Sequence, residues 1–289
     1  MQTTTYSIIK ERNQSIAFWI FKSISFIVLV IIVSILGFII FRGIGIINWV
    51  FISTAPTDGM TKGGIFPAIV GTIQLIVGSS IIAFPIGILS GIYMNEYAKD
   101  NWFKKFVRMM TNNLAGIPSI VFGLFGMALF VNYLKLGVSI LSGSLTLGLM
   151  ILPIVIRTTE ESLKFIEDSY RQAAYALGAS KWQTIQKVIL PMAFPNIITG
   201  LILSIGRVSG ETAPIIFTVA AYYLPEISLS LHSQVMALPY HLYVTATSGT
   251  DLEASRKIAF GTALVLISLV FALNLAANYI RRRHQSKHQ

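Results

Sequence analysis

Residues 63–95 read GGIFPAIVGTIQLIVGSSIIAFPIGILSGIYMN, a run closed by Lys62 and Glu96 with no charged side chain inside it. A bilayer core is crossed by a helix of roughly 20 apolar residues, so this run spans a membrane with turns to spare. Charge-free runs of similar length lie between Lys22 and Arg42, Arg108 and Lys135, Lys135 and Arg157, Lys187 and Arg207, and Lys257 and Arg281. In hydrocarbon every backbone polar group must be satisfied within the segment or a closed barrel, and no barrel-like alternation is present. The spacing therefore predicts six transmembrane helices, an all-α polytopic membrane protein.

The composition agrees: 54% of the 289 residues are hydrophobic, 12% are charged and the mean hydropathy is +0.70. Soluble domains carry about 25% charged residues. A net charge of +10 raises nucleic acid as a partner, but the distribution of cations points to lipid. With the N-terminus inside, the inner segments (up to Lys22, then Lys99–Arg108, Arg157–Lys187 and Arg281–Lys287) hold 16 of the 22 Lys and Arg. The outer ones hold five: Arg42, Lys62, Lys135, Arg256 and Lys257. That bias predicts both termini in the cytoplasm of a multi-pass cell-membrane protein. The first apolar run ends at Phe41-Arg42-Gly43 without a small-residue cleavage pattern, and reads as a retained helix.

Several function classes have no residues to support them. There is no cysteine, hence no disulfide framework or thiolate metal site. The four histidines, His232, His241, His284 and His288, fall in an expected external loop and at the C-terminus. No His-Glu-x-x-His motif or carboxylate cluster favours a membrane enzyme. None of the twelve lysines follows a glycine, so the Gly-Lys pair of a nucleotide-binding P-loop is missing.

Small residues mark packing surfaces: Gly87 with Gly91, Gly123 with Gly126, and Gly206 with Gly210. Such spacings let helices approach backbone to backbone. Pro85 beside Gly87 predicts a kink in the second span, and Asn48–Gly64 reads as an external loop. The stretch from Thr212 to Lys257 holds either a re-entrant segment or external helices.

Two stretches carry function. In the first, from Arg157 to Pro191, Ser169 is placed to cap a helix over about 170–177 and Gly178 to end it in a left-handed turn. Ser180 then caps a second short helix with Trp182, Ile185 and Ile189 on one face. The residues alone describe an amphipathic helical hairpin, docking on a partner or lying on the membrane. In the second stretch, Arg207 and Glu211 are four residues apart and share a helix face. An ionisable side chain in the apolar zone costs about 2.5–3.5 kcal/mol, so the pair is either functional or a boundary device that pairs to let the helix insert. Pro214 kinks or ends this helix.

The order Gln172-Ala173-Ala174, three residues, Gly178, nine residues, Val188, one residue, Leu190-Pro191 resembles the "EAA" signature of binding-protein-dependent transport permeases. Gln172 stands where that signature has an acid, and Val188 where it has isoleucine. The resemblance implies a type I ABC-importer permease fold. Its coupling hairpin, at about 157–191, seats in a separate ATPase that binds ATP and Mg, so this chain itself has no cofactor and no catalysis. Arg207-x-x-Gly210-Glu211-Thr212-Ala213-Pro214 is similar to the signature of PstA-type phosphate permeases. So are Asn112-Asn113 through Pro118-Ser119 to Gly123, and Arg157-Thr158-Thr159-Glu160-Glu161.

That second resemblance covers about residues 65–280. It divides the chain into 1–64, an N-terminal helix and first external loop, and 65–289, the permease core. It implies inorganic phosphate as cargo, a PstC-type sister permease, a PstB-type ATPase dimer and an external PstS-type phosphate-binding protein. Arg207, Glu211 and Arg157 become candidates for the substrate path, with Arg157 equally readable as a membrane anchor. Gln172, Ala173, Ala174, Gly178, Leu190 and Pro191 become candidates for ATPase coupling. Sulfate or molybdate are the alternative cargoes. A secondary transporter is the remaining rival, though it has no use for the hairpin.

Overall fold

The computed structural model describes residues 2–248 and 251–285; Lys287 and His288 lie outside the described residues. Of the described residues, 79% are helical. Among the described residues five helices are long and apolar enough to span: α1 (Gln2–Gly43), α2 (Phe66–Tyr97), α5 (Ile140–Lys164), α7 (Lys181–Gly210) and α10 (Leu252–Gln285). Between them lie α3 (Trp102–Ala115), α4 (Ser119–Tyr133), α6 (Asp168–Ala176), α8 (Ala213–Thr218) and α9 (Leu238–Thr247).

The run from Arg108 to Lys135 is not one helix. It is shared between α3 and α4, which meet at 103°. Pro118 pushes Ile117 away from helical geometry, and Gly116 next to it weakens the helix further. With its bend, this run supplies the sixth crossing, α4 running beside α5.

Close packing follows the small residues. A Cβ on Gly87 would lie 2.6 Å from Val155 Cγ1, and one on Gly91 2.6 Å from Thr159 Cβ, so α2 and α5 approach at those two glycines. Gly126 faces Thr146 in the same way, and Gly200 faces Thr158. Gly206 and Gly210 behave otherwise: Gly206 meets only Asn274 Oδ1 at 4.0 Å and Gly210 meets nothing. They do not press the Arg207 face against another helix. The centre of the bundle is filled by Leu75, Phe122, Leu147, Met150, Ile151 and Val219. α2 stays helical through Pro85.

The end opposite the hairpin is capped rather than loose. Asn48 caps a helical turn, Trp49–Ser53, and Pro56–Thr57 pairs with Lys62–Gly63 as a two-residue ribbon. Phe51, Met60, Ile65, Met236, Leu238 and Val244 close over that end as a second apolar cluster. The stretch after Thr212 holds two short helices. α8 packs within the bundle, where a Cβ on Gly123 would lie 2.9 Å from Pro214 Cα, and α9 covers the capped end. His241 belongs to no loop: it lies on α9, only 2% exposed, with Nδ1 3.2 Å from Thr262 Oγ1. Burial pushes it down to about 4, so it is neutral near pH 7.

Candidate translocation site and coupling hairpin

The hairpin forms for local reasons. Helix α6 starts at Asp168, whose carboxylate suits the positive end of the helix. Ser169 therefore lies inside the first turn and is not the cap. At the other end Gly178 takes φ +81°, with Gly178 N–H donating to Tyr175 O (2.9 Å) and Ala179 N–H to Ala174 O (3.1 Å). This pair of bonds is the Schellman arrangement that a left-handed residue closes. Ser180 and Gln183 then form a reciprocal capping box.

The second arm is not a short helix. It is the first part of α7, which runs unbroken from Lys181 to Gly210. Pro191 is tolerated because residues Ile185–Ile189 form a π turn, in which Leu190 N–H reaches back to Ile185 O. The wider turn absorbs the donor that proline lacks. Ile185 and Ile189 pack inward on Ile92, Leu163 and Ile197, whereas Trp182 is 53% exposed. Gln172 and Ala173 are also exposed, and Ala174 is buried. Leu177 at the hairpin tip is 89% exposed, an apolar cost that suits a partner surface.

One anchor of the hairpin was not visible beforehand. Arg171, 14% exposed at its side chain, donates to Glu96 Oε1 (2.8 Å), Asp168 Oδ1 (3.0 Å), Ile166 O (2.9 Å) and Leu163 O (3.1 Å). Glu96, at the end of α2, is 6% exposed and also accepts from Asn95 Nδ2. Burial works against the charge of Arg171, but the Glu96 hydrogen bond and charge outweigh it and raise its pKa. Lys181 lies over the Tyr97 ring at 4.7 Å, so both arms of the hairpin are tied to the end of α2. The only sequence signals were position: Glu96 ends the long apolar run, and Arg171 precedes Gln172.

Arg207 occupies the last turn of α7, and Glu211 is the first residue beyond it, at ψ 125°. Arg207 Nε and Glu211 Oε1 are 3.5 Å apart, with side chains 33% and 17% exposed. The break at 211–212 lies inside the bundle. Glu211 lines a small crevice with Thr72, Leu75, Leu147, Ser209 and Ile215, and Leu147, seven residues into α5, is about 10 Å from that helix's end. A helix break at membrane depth is tolerated where it is enclosed by protein or lines a cavity.

Arg157 is not brought to this place. Its Nε donates to Glu161 Oε1 at 2.8 Å, one turn from Glu160, which pairs with Arg108 and Lys164. Gly200 packs on Thr158, and Arg207 lies seven residues further along α7, about 10 Å away along the axis. The two arginines therefore stand at different depths.

A family model described as binding-protein-dependent transport system inner membrane component matches residues 83–287. The chain belongs to this family. It is an ABC-importer permease component of a multi-pass cell-membrane system. It is 32% identical to the probable ABC transporter permease protein YqgI of Bacillus subtilis (strain 168), over 94% of this chain and 96% of that one. It is 37% identical to the phosphate transport system permease protein PstA 1 of Mycobacterium tuberculosis (strain CDC 1551 / Oshkosh), over 76% and 71%. The fold resembles a solved bacterial alginate ABC transporter in complex with an alginate pentasaccharide-bound periplasmic protein. There the TM-score is 0.67 at 14% identity, over 94% of this permease and 96% of that chain.

Proposed function

We propose that this chain is the PstA-type permease subunit of an importer that carries inorganic phosphate into the cytoplasm, driven by a separate ATPase. The observation that carries the reading is the Arg207–Glu211 pair at the break of α7, 3.5 Å apart and half-enclosed, together with relatives named as phosphate permeases. Arginine keeps its charge in a low dielectric and offers a planar donor fork matched to phosphate oxygens. Phosphate arriving at Arg207 replaces the carboxylate of Glu211. Glu211, acceptor-only when ionised, then accepts a hydrogen bond from the P–OH group, which sulfate does not have. Re-pairing of Glu211 with Arg207 releases the anion.

The hairpin face is assigned to the cytoplasm, where a PstB-type ATPase dimer supplies ATP and Mg. A PstS-type binding protein and a PstC-type sister permease complete the complex. Because the second arm of the hairpin continues as α7, Lys181 and Arg207 lie on one rod about 39 Å long. A tilt imposed at the hairpin is felt at the site without an intermediate. Arg157 serves as an anchor at the hairpin end of α5 on this reading.

Two consequences are measurable. In nanodiscs, the co-purified complex should hydrolyse ATP faster when phosphate-loaded binding protein is added. An intact complex indifferent to that protein rejects phosphate as cargo. Gly178→Asp should abolish uptake while the subunit stays in the membrane, because positive φ costs a non-glycine residue roughly 1–2 kcal/mol and the turn at φ +81° sits at the tip. The space beside Gly178 is open within this chain, so Gly178→Ala should lose less than Gly178→Asp. Normal uptake by Gly178→Asp would remove the hairpin from the coupling path.

A further inference from the structure

We propose that α3 is an interfacial helix whose outer face lies among the headgroups and upper acyl chains of an anionic leaflet on the hairpin side. Three observations carry this. First, the helix is segregated. Trp102, Phe106 and Met109 recur at helical spacing, with Phe103 and Met110 beside them, and all five are exposed, Trp102 at 76%. Around the helix this is one arc of somewhat more than 100°.

Second, the opposite side is fastened to the protein. Lys104 Nζ lies 3.2 Å from Ala98 O and 3.1 Å from Asp100 Oδ1, and Arg108 pairs with Glu160. The apolar arc is thus turned away from the bundle by the cations behind it.

Third, the direction and height are those of a membrane surface. α4 runs beside the spanning helix α5, and α3 leaves α4 at 103°. It therefore runs across the direction of α4 rather than along it. Arg108 meets Glu160 one turn before α5 ends at Lys164, which sets the helix at the rim of the hydrocarbon. Tryptophan at that level and lysine beside it are the residues such a position favours.

The occupant is lipid rather than the sister chain because of charge. Lys99 and Lys105 flank the arc and are exposed, and the nearby carboxylate of Asp100 is held by Lys104. No acid stands on the outward arc to meet a basic protein partner. Each cation near an anionic surface adds electrostatic attraction.

The test uses the complete complex in nanodiscs of phosphatidylethanolamine and phosphatidylglycerol. Since the chain has no cysteine, nitroxides can be attached singly at Trp102→Cys, Lys105→Cys, Phe106→Cys, Met109→Cys and Asn112→Cys. Labels at 102, 106 and 109 should collide preferentially with oxygen, and those at 105 and 112 with a water-soluble nickel chelate. Substituting phosphatidylcholine for the anionic lipid should reduce that contrast. Nickel access at all five positions overturns the proposal, as does protection of 102, 106 and 109 from both reagents, which would mean a protein-covered face. An unchanged contrast in phosphatidylcholine overturns the anionic preference.

Discussion

Arg207→Gln should stop phosphate uptake, and adding Glu211→Gln should not restore it. The pair is only half-enclosed, with side chains 33% and 17% exposed and 3.5 Å between them. If its purpose were insertion alone, removing both charges would leave no lone ion in an apolar setting and should be harmless. If Arg207 receives the anion, the double variant still lacks the donor. Hydrogen bonds to a charged partner are worth about 1.5–3 kcal/mol each, so losing a two-pronged contact should lower uptake by at least roughly 100-fold. Arg207→Lys keeps the charge and loses the fork, and should recover part of the rate. Initial rates of labelled phosphate entry, normalised to assembled complex, check this. Unmodified transport by the double glutamine variant would show that Arg207 does not handle the cargo.

The second large effect is expected at the foot of the hairpin. Arg171→Gln leaves Glu96, 6% exposed, without its cation, and breaking a buried pair in this way costs about 3–5 kcal/mol. The first arm of the hairpin then loses its tie to α2, the helix whose Thr72 and Leu75 line the crevice at Glu211. ATP hydrolysis should continue while phosphate moved per ATP falls several-fold. Arg171→Glu combined with Glu96→Arg should regain part of that ratio. The recovery stays partial because the bonds from Arg171 to Leu163 O and Ile166 O are not replaced. A simple folding role predicts less complex at an unchanged ratio, so the ratio decides between them.

Much of this architecture was legible because hydrocarbon allows few solutions. A charge-free run of sufficient length has to be a helix, and five runs became unbroken spans. The run after Arg108 was misread because hydropathy records solubility and not direction. Gly116 and Pro118 held the information about the turn, while Arg108 belongs to a surface helix tied to Glu160. The second arm reads as a short helix, but the π turn at Ile185–Ile189 lets it continue through Pro191 into α7. Turn chemistry at Gly178 and Ser180 was readable because it depends on neighbours a few residues away.

Longer contacts were not readable. Arg171 and Glu96 are 75 residues apart, and nothing local pairs them. The glycines at 206 and 210 have the same spacing as those at 87 and 91, yet only the latter press closely on a neighbouring helix. Spacing describes a surface, and the presence of a neighbour is a tertiary fact. His241 was likewise assigned to a loop because its cover comes from Thr262, far along the chain.

The central claim is that this permease carries phosphate under the drive of a separate ATPase. The direct measurement is entry of labelled phosphate into liposomes that contain the assembled complex, with the binding protein outside and ATP within. Uptake should require ATP and the binding protein, and should persist in excess sulfate and molybdate. Accumulation without ATP, or uptake that excess sulfate abolishes, would contradict the account.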